Sequence, residues 1–139
     1  MGIKYRCGFK YQLALDYMVQ TGVIRDKKKE KIICTDYVTL FTDGQMLIRK
    51  GFAWDGASSI ARDTKTIMRG SLIHDALYSL LRTGKLDMKW REQSDMELWK
   101  ACCEDGMWRL RAWWVHRAVR KFAKFAALPE NRKEILTAP

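Results

Sequence analysis

The sequence predicts an α+β fold, in which a small antiparallel N-terminal sheet is followed by a three-helix C-terminal half. Apolar and β-branched runs fill residues 9–50 and are divided by a glycine-containing turn. From about residue 64, apolar residues recur at the three- or four-residue spacing of a helix. The chain has 139 residues and no long linker or repeat. We therefore expect a single domain over residues 1–139.

The β part is expected over about residues 1–63. Strands are predicted at residues 11–15, 36–41 and 46–50. Residues 42–45 (TDGQ) are expected to form the hairpin turn between the last two, because glycine tolerates a positive φ. The basic run at residues 25–31 is expected to be a solvated loop, with a specific anion site as the alternative, and residues 51–63 an irregular loop.

The helical part is expected over about residues 64–128. The periodicity predicts helices at about residues 65–81, 88–104 and 107–127. The first two are joined by a turn at residues 82–85 (RTGK), Asp105-Gly106 ends the second, and Pro129 ends the third. The polar tail at residues 129–139 is expected to fray.

Composition limits the environment and the partners. The formal net charge is +10, from 26 Lys and Arg against 16 Asp and Glu. This excess suits nucleic acid, anionic lipid or an acidic protein, although solvated surface charge is an equal alternative. No apolar run is long enough to span a bilayer, and no signal peptide is visible. The four cysteines lack a CxxC spacing, so we expect free, mostly buried thiols in a cytoplasmic protein.

The His74-Asp75 doublet lies on the first predicted helix, and its two side chains point about 100° apart. Gly84 is midway between His74 and Asp95. If the first two helices form an antiparallel hairpin, His74 and Asp95 therefore lie level across it. A carboxylate on one ring nitrogen would leave the other nitrogen free to take a proton from water. Tyr78 is one helical turn from both residues of the doublet, and it is the third candidate for a catalytic residue.

Asp75 is expected to face the loop that contains Trp54, Asp55 and Gly56. Two carboxylates and loop carbonyl oxygens make an all-oxygen site, which suits calcium better than zinc. Gly56 would let the backbone turn its carbonyls toward an ion. A metal there would polarise a substrate oxygen while His74 activates water.

The same residues also suit roles that involve no catalysis. A buried His74–Asp95 pair could simply hold two helices together, and Asp55-Gly56 could be an ordinary turn. Phosphohydrolases named for a His-Asp doublet need a further histidine upstream, whereas the other histidine here is His116, downstream. A nucleophile at Ser58 or Ser59 lacks the Gly-x-Ser-x-Gly elbow.

Two resemblances follow from these motifs. The segments GFAWDGAS (51–58), HDALY (74–78) and DMEL (95–98) resemble a pattern shared by small bacteriophage and prophage proteins of uncharacterised function, although the proline that often follows the serine is absent. A more distant resemblance is to prokaryotic secreted phospholipases A2, which have a similar loop, a His-Asp-x-x-Tyr helix and an Asp on the next helix. The phospholipase loop cysteine is Ala57 here, and the disulfides are absent.

The phospholipase resemblance implies roles for individual residues. His74 would be the general base and Asp95 its partner, with Tyr78 beside them. Asp55 and Asp75 would bind calcium, and Trp54 and Gly56 are candidates for backbone ligands.

The third predicted helix is rich in tryptophan and arginine. Its apolar positions Leu110, Trp114, Ala118, Phe122 and Phe125 are expected to form a core face opposite a solvated basic face. The alternatives are binding at a membrane surface and binding to single-stranded nucleic acid, for which no recognised motif is present. His116 is expected on the helix surface.

These observations lead to two principal hypotheses. The first is a phage-encoded, calcium-dependent ester hydrolase that acts on lipid and uses His74 as general base. The second is a non-enzymatic virion or host-interaction protein that binds an anionic partner, or phage structural proteins, through its basic face. Either would act in the host cytoplasm or in association with the virion, and a nucleic-acid binder is a third alternative.

Overall fold

The N-terminal half forms antiparallel sheets and the C-terminal half forms helices, so the α+β prediction is confirmed. The computed structural model describes residues 3–5, 11–54, 65–122 and 136–138. In chain order, the elements described are β1 (Ile3–Tyr5), β2 (Tyr11–Gln12), β3 (Tyr17–Gln20), β4 (Ile33–Cys34), β5 (Val38–Leu40), β6 (Gln45–Ile48), β7 (Ala53–Trp54), α1 (Lys65–Arg82), a 3₁₀ turn (Met88–Trp90), α2 (Arg91–Glu104), α3 (Arg109–Phe122) and β8 (Leu136–Ala138).

Strands β3 to β6 form an antiparallel sheet in the order β3-β6-β5-β4. The predicted hairpin turn joins β5 and β6, and Gly44 adopts a φ of +91° there. All of β5 is buried, and in β6 Met46 and Ile48 are buried in alternation with more exposed residues. The inward residues of this sheet belong to one core with α1, which buries Ile67, Ile73 and Leu77.

Several strand predictions are corrected by the structure. The strand predicted at residues 11–15 is only β2, because the chain bends at residues 14–15 and leaves Leu15 76% exposed. Residues 36–37 bend before β5 begins. Part of the predicted loop at residues 51–63 is β7, which pairs with β2, while residues 55–63 lie outside the described part. The polar tail was expected to fray, but its residues 136–138 form β8 and pair with β1.

The basic run at residues 25–31 is exposed except at its first residue. The Arg25 guanidinium is buried and donates hydrogen bonds to the carbonyl oxygens of Lys31 (2.8 Å) and Leu40 (2.9 Å). Arg25 therefore fastens the loop to β5. The prediction of a solvated loop is wrong for this residue and fits the others.

The helix predictions are close to the observed bounds. The first helix ends one residue later than predicted. The predicted start of the second helix is the 3₁₀ turn, where the Asp87 side chain accepts a hydrogen bond from the Lys89 backbone N–H. The third helix is described from Arg109 to Phe122. None of the described helices is long and apolar enough to cross a bilayer.

The predicted core face of α3 is wrong in part. Its buried residues are Ala112, Val115, Ala118 and Val119. Leu110 (58% exposed) and Trp114 (52% exposed) point outward instead. Small residues let α3 pack closely against α2, so the large apolar side chains lie on the outer face. Phe125 lies outside the described residues.

The three described cysteines are free thiols. Cys102 is buried, Cys103 is half-buried and Cys34 is exposed. The expectation of mostly buried thiols is therefore wrong at Cys34.

Candidate active site

The centre of the site is the Asp95 carboxylate on α2, which is fully buried. His74 Nε2 lies 2.8 Å from Asp95 Oδ1, and the Tyr78 hydroxyl donates to the same oxygen at 2.6 Å. Arg120 Nη1 donates to Oδ2 at 2.9 Å. The predicted hydrogen bond between His74 and Asp95 across the α1–α2 hairpin is confirmed.

The ring of His74 is held in one tautomer when neutral. An ionised carboxylate only accepts hydrogen bonds, so Nε2 must carry the proton that faces Asp95. The lone pair is then on Nδ1, and Asp75 Oδ1 lies 3.6 Å from that atom. This distance is too long for a hydrogen bond, so the Asp75 carboxylate is a nearby charge rather than a partner of Nδ1.

The Asp75 side chain does not point where it was expected to. It was expected to turn away from the histidine toward the loop that contains Asp55. Its carboxylate remains beside the imidazole, and its side chain is 30% exposed, whereas that of His74 is 7% exposed. Asp75 is thus a more accessible group at the Nδ1 edge of the ring.

The surroundings of the His74–Asp95 pair shift the pKa of each group toward its charged form. Burial disfavours the imidazolium, but the carboxylates of Asp75 and Asp95 outweigh it and raise the pKa of His74. Burial also disfavours the Asp95 carboxylate, yet the hydrogen bonds from His74, Tyr78 and Arg120 keep the pKa of Asp95 below its usual value. Asp95 therefore remains ionised and orients the ring.

Tyr78 acts on Asp95 rather than on the free edge of the histidine. Its hydroxyl donates to Asp95 and accepts from Arg91 Nε at 3.3 Å. Burial and the Asp95 carboxylate raise the pKa of Tyr78 well above that of a free phenol. Tyr78 therefore stays protonated, and its ring packs against the imidazole with centroids 4.0 Å apart. These contacts make it a positioning residue, in contrast to the catalytic role that was expected.

Sequence reasoning missed Arg120 and Arg91. Arg120 lies on the third helix, whose basic residues were expected to be solvated, but its guanidinium binds Asp95. Arg91 Nη2 donates to the Arg120 carbonyl oxygen at 2.7 Å. The sequence spacing between Asp95 and Arg120 could have indicated their contact. The midpoint between residues 95 and 120 falls between Met107 and Trp108, in the connection between α2 and α3, much as the midpoint between His74 and Asp95 falls in the turn that contains Gly84.

The structure describes two of the four predicted metal ligands, Asp75 and Trp54. The Trp54 indole N–H donates to Ser71 Oγ at 3.1 Å, and Ser71 lies one helical turn before Asp75. The chain therefore leaves β7 alongside the turn of α1 that precedes the His-Asp doublet. Asp55 and Gly56 lie outside the described residues, as do Ser58 and Ser59.

In the described ranges, no three or more His, Cys, Asp or Glu side chains form a group that could hold a metal ion. Among the residues that the structure describes, Asp75 offers the partly exposed carboxylate that lies beside His74. Its chemistry fits a hard cation such as calcium, provided that further oxygen ligands come from elsewhere in the chain.

His116 is half-buried, although a surface position was expected. Its Nε2 is buried and has no hydrogen-bond partner among the described residues. Burial lowers the pKa of His116, which favours the neutral ring. His116 is therefore a structural neighbour of the Asp95 cluster and supplies none of its hydrogen bonds.

No protein-family model, curated protein or solved structure matches this chain. The resemblances to the phage proteins and to the phospholipases A2 accordingly remain predictions, which rest on the motifs quoted from the sequence.

Proposed function

We propose that this protein is a calcium-dependent ester hydrolase that acts on lipid, with His74 as general base. The observation that carries the proposal is the 2.8 Å contact between His74 Nε2 and the buried Asp95 carboxylate, which directs the Nδ1 lone pair away from Asp95. Buried carboxylate–imidazole pairs of this kind prepare a histidine to accept a proton.

The chemistry assigned to these residues is the attack of water on an ester. His74 Nδ1 takes a proton from water as the water oxygen bonds to the carbonyl carbon. The bond from that carbon to the alcohol oxygen then breaks, and the imidazolium returns the proton to the departing oxygen. Asp95 stabilises the imidazolium between these steps, and Tyr78 and Arg120 hold Asp95 in place.

Calcium is proposed on the donor chemistry of the residues around His74. Asp75 would hold the ion together with Asp55 and backbone oxygens of Trp54 and Gly56. Bound calcium would polarise the ester carbonyl group. The tether between Trp54 and Ser71 supports this assignment, since it brings the start of the loop beside α1.

The proposal is tested by assaying release of fatty acid from phospholipid vesicles with the full chain, in millimolar calcium and in excess chelator. Wild type should be active only with calcium, and His74→Gln should lose at least a hundredfold in rate, as expected for a general base. The matched control is His116→Gln, which changes the chain's other histidine and should retain activity. Activity in His74→Gln equal to wild type would refute the proposal.

A second candidate is a binding protein without catalytic activity, as a virion or host-interaction component. It is favoured by the burial of the polar cluster, in which Asp95 joins a histidine on α1 to an arginine on α3. Such a cluster can serve to hold three helices together. This candidate predicts no lipid hydrolysis by wild type and no stabilisation by calcium.

A further inference from the structure

The outer face of α3 exposes large apolar side chains, which is unusual for a helix that packs on a core. Leu110, Trp113 and Trp114 are 58%, 53% and 52% exposed, and Trp108, just before the helix, is 74% exposed. Positions 110, 113, 114 and 117 share one side of a helix. We call Leu110, Trp113, Trp114 and Arg117 the tryptophan face.

Positive charge accompanies this apolar surface. The sequence of α3 contains five Arg and Lys residues and no Asp or Glu. Arg120 points inward to Asp95, whereas Arg109 and Arg117 are exposed. The guanidinium carbon of Arg117 lies 5.4 Å from the centroid of the Trp113 ring, so cation and indole are presented together.

We infer that the tryptophan face docks α3 onto the surface of an anionic lipid bilayer. Indole rings bury their apolar part at the acyl boundary and keep their N–H in the headgroup region. Arginine side chains beside them pair with the phosphate groups. A helix with one buried side of small residues can lie in the plane of such an interface without unfolding the protein.

The details favour lipid over single-stranded nucleic acid. A base must stack on an open face of an aromatic ring. The guanidinium of Arg117 already lies over one face of Trp113. Leu110 adds exposed aliphatic surface that offers no stacking to a base, but that gains free energy when it leaves water for an acyl region.

The docking surface is separate from the chemistry proposed for His74, because it uses side chains other than Arg120, the α3 residue that binds the Asp95 carboxylate. Membrane binding is therefore expected in His74→Gln and in the presence of chelator, where hydrolysis does not occur. A failure to bind vesicles would leave the hydrolase proposal intact, and a failure to hydrolyse lipid would leave this inference intact.

The experiment is flotation of the full chain with vesicles in chelator at low salt. Vesicles of equal parts phosphatidylglycerol and phosphatidylcholine should carry the protein, and vesicles of phosphatidylcholine alone should carry at least tenfold less. Binding should weaken as salt screens the charges. Absence of flotation with the anionic vesicles would overturn the inference.

The apolar contribution is tested with the double variant Trp113→Ser/Trp114→Ser, which should reduce partitioning at least tenfold. The matched control is Leu15→Ser/Ile24→Ser, which removes two exposed apolar side chains (76% and 63% exposed) from the β half. This control should bind within twofold of wild type. Melting temperatures near that of wild type establish that both variants fold, and an equal loss in both would overturn the inference.

The cationic contribution is tested with Arg109→Gln/Arg117→Gln. Each removed cation should lower partitioning about fivefold, which corresponds to about 1 kcal/mol per charge near an anionic surface. The control Lys27→Gln/Lys28→Gln removes the same charge from the exposed loop and should lose less than twofold. Equal losses would show attraction by net charge alone. Binding of a single-stranded oligonucleotide that is lost in the tryptophan or arginine variants, without binding to vesicles, would assign the face to nucleic acid. Equal losses in the two charge variants, or this oligonucleotide result, would overturn the inference.

Discussion

Arg120 donates a 2.9 Å hydrogen bond to Asp95 Oδ2, the carboxylate oxygen that His74 and Tyr78 do not contact. Asp95 thereby receives hydrogen bonds from α1 and from α3 while it lies fully buried on α2. A carboxylate in this position is tolerated only because its hydrogen bonds compensate for lost hydration. The stability of the helical half and the orientation of His74 therefore depend on the same carboxylate.

Arg120→Gln should destabilise the protein because it leaves the buried Asp95 carboxylate without its cationic partner. Loss of one member of a buried pair costs several kcal/mol. The Arg120 side chain is 34% exposed, so solvent screening reduces the expected loss to about 1–3 kcal/mol. The free energy of unfolding in urea at pH 7 measures it.

The control for this change is Arg117→Gln on the same helix. Arg117 is exposed and contacts the Trp113 ring. Its substitution should change stability by no more than about 0.5 kcal/mol. Equal losses in the two variants would mean that the Arg120–Asp95 contact does not contribute specifically.

Acid should weaken the fold through Asp95. The pKa of Asp95 in the folded state lies below its usual value of 3.8. Its contribution is therefore fully present above about pH 4 and is lost as pH falls through the folded pKa. Urea unfolding of wild type and Asp95→Asn at pH 5, 4, 3 and 2 measures this, and the variant should lose less stability than wild type between pH 4 and 2. Parallel pH profiles would contradict the assignment.

Much of the helical half was predictable because its information is local. Apolar spacing and the turn glycine place α1 and α2, and counting residues from Gly84 places His74 level with Asp95. The orientation of α3 was not predictable in the same way. Trp114 and Leu110 are apolar and helically spaced, yet Ala112 and Val115 are buried in their place. Close packing against α2 favours small side chains, and this preference depends on tertiary contacts that periodicity alone does not report.

The strand half was less predictable, since β-strands gain their partners from distant parts of the chain. Strand β2 pairs with β7, and β1 pairs with β8 near the opposite end of the chain. Arg25 likewise lies in a charged run typical of a solvated loop, but carbonyl oxygens of Lys31 and Leu40 draw its guanidinium inward. Such pairings are visible only once the fold brings their partners together.

Calcium should raise the melting temperature if Asp75 belongs to a metal site. An ion present at a hundred times its Kd adds about 2.7 kcal/mol to the free energy of unfolding. For a chain of this size, that is a rise of about 5–10 °C. Scanning calorimetry with 5 mM calcium measures it, and magnesium should give a smaller rise because it demands a stricter geometry.

The matched variants for the calcium experiment are Asp75→Asn and Asp36→Asn. The first should abolish the calcium-dependent rise, whereas the second changes an exposed carboxylate in the β half and should preserve it. An unchanged rise in Asp75→Asn would exclude this carboxylate as a ligand. No rise in wild type would remove calcium from the proposed function.

His116→Leu should be nearly neutral for stability at pH 7.5 and should stabilise the protein relative to wild type at pH 5. The buried Nε2 lacks a partner among the described residues, and burial lowers the pKa of the ring. The unfolded chain therefore binds a proton near pH 6.5 more readily than the folded chain, and the wild type loses stability as pH falls through that range. Urea unfolding at both pH values measures the difference, and a loss of stability at pH 5 would contradict the expected sign.

Gly44 lies in the β5–β6 hairpin turn, and Gly84 lies in the turn that follows α1. Both have positive φ (+91° and +70°), so Gly84 is a matched control for substitution of Gly44. Alanine at either position should cost about 1 kcal/mol from backbone strain alone. A Cβ at Gly44 would also overlap the Thr21 carbonyl oxygen, whereas one at Gly84 meets no atom within 4 Å. Gly44→Ala should therefore lower the free energy of unfolding by at least about 2 kcal/mol more than Gly84→Ala. Urea unfolding measures both, and equal losses would show that the β5–β6 turn shifts away from Thr21 at little cost.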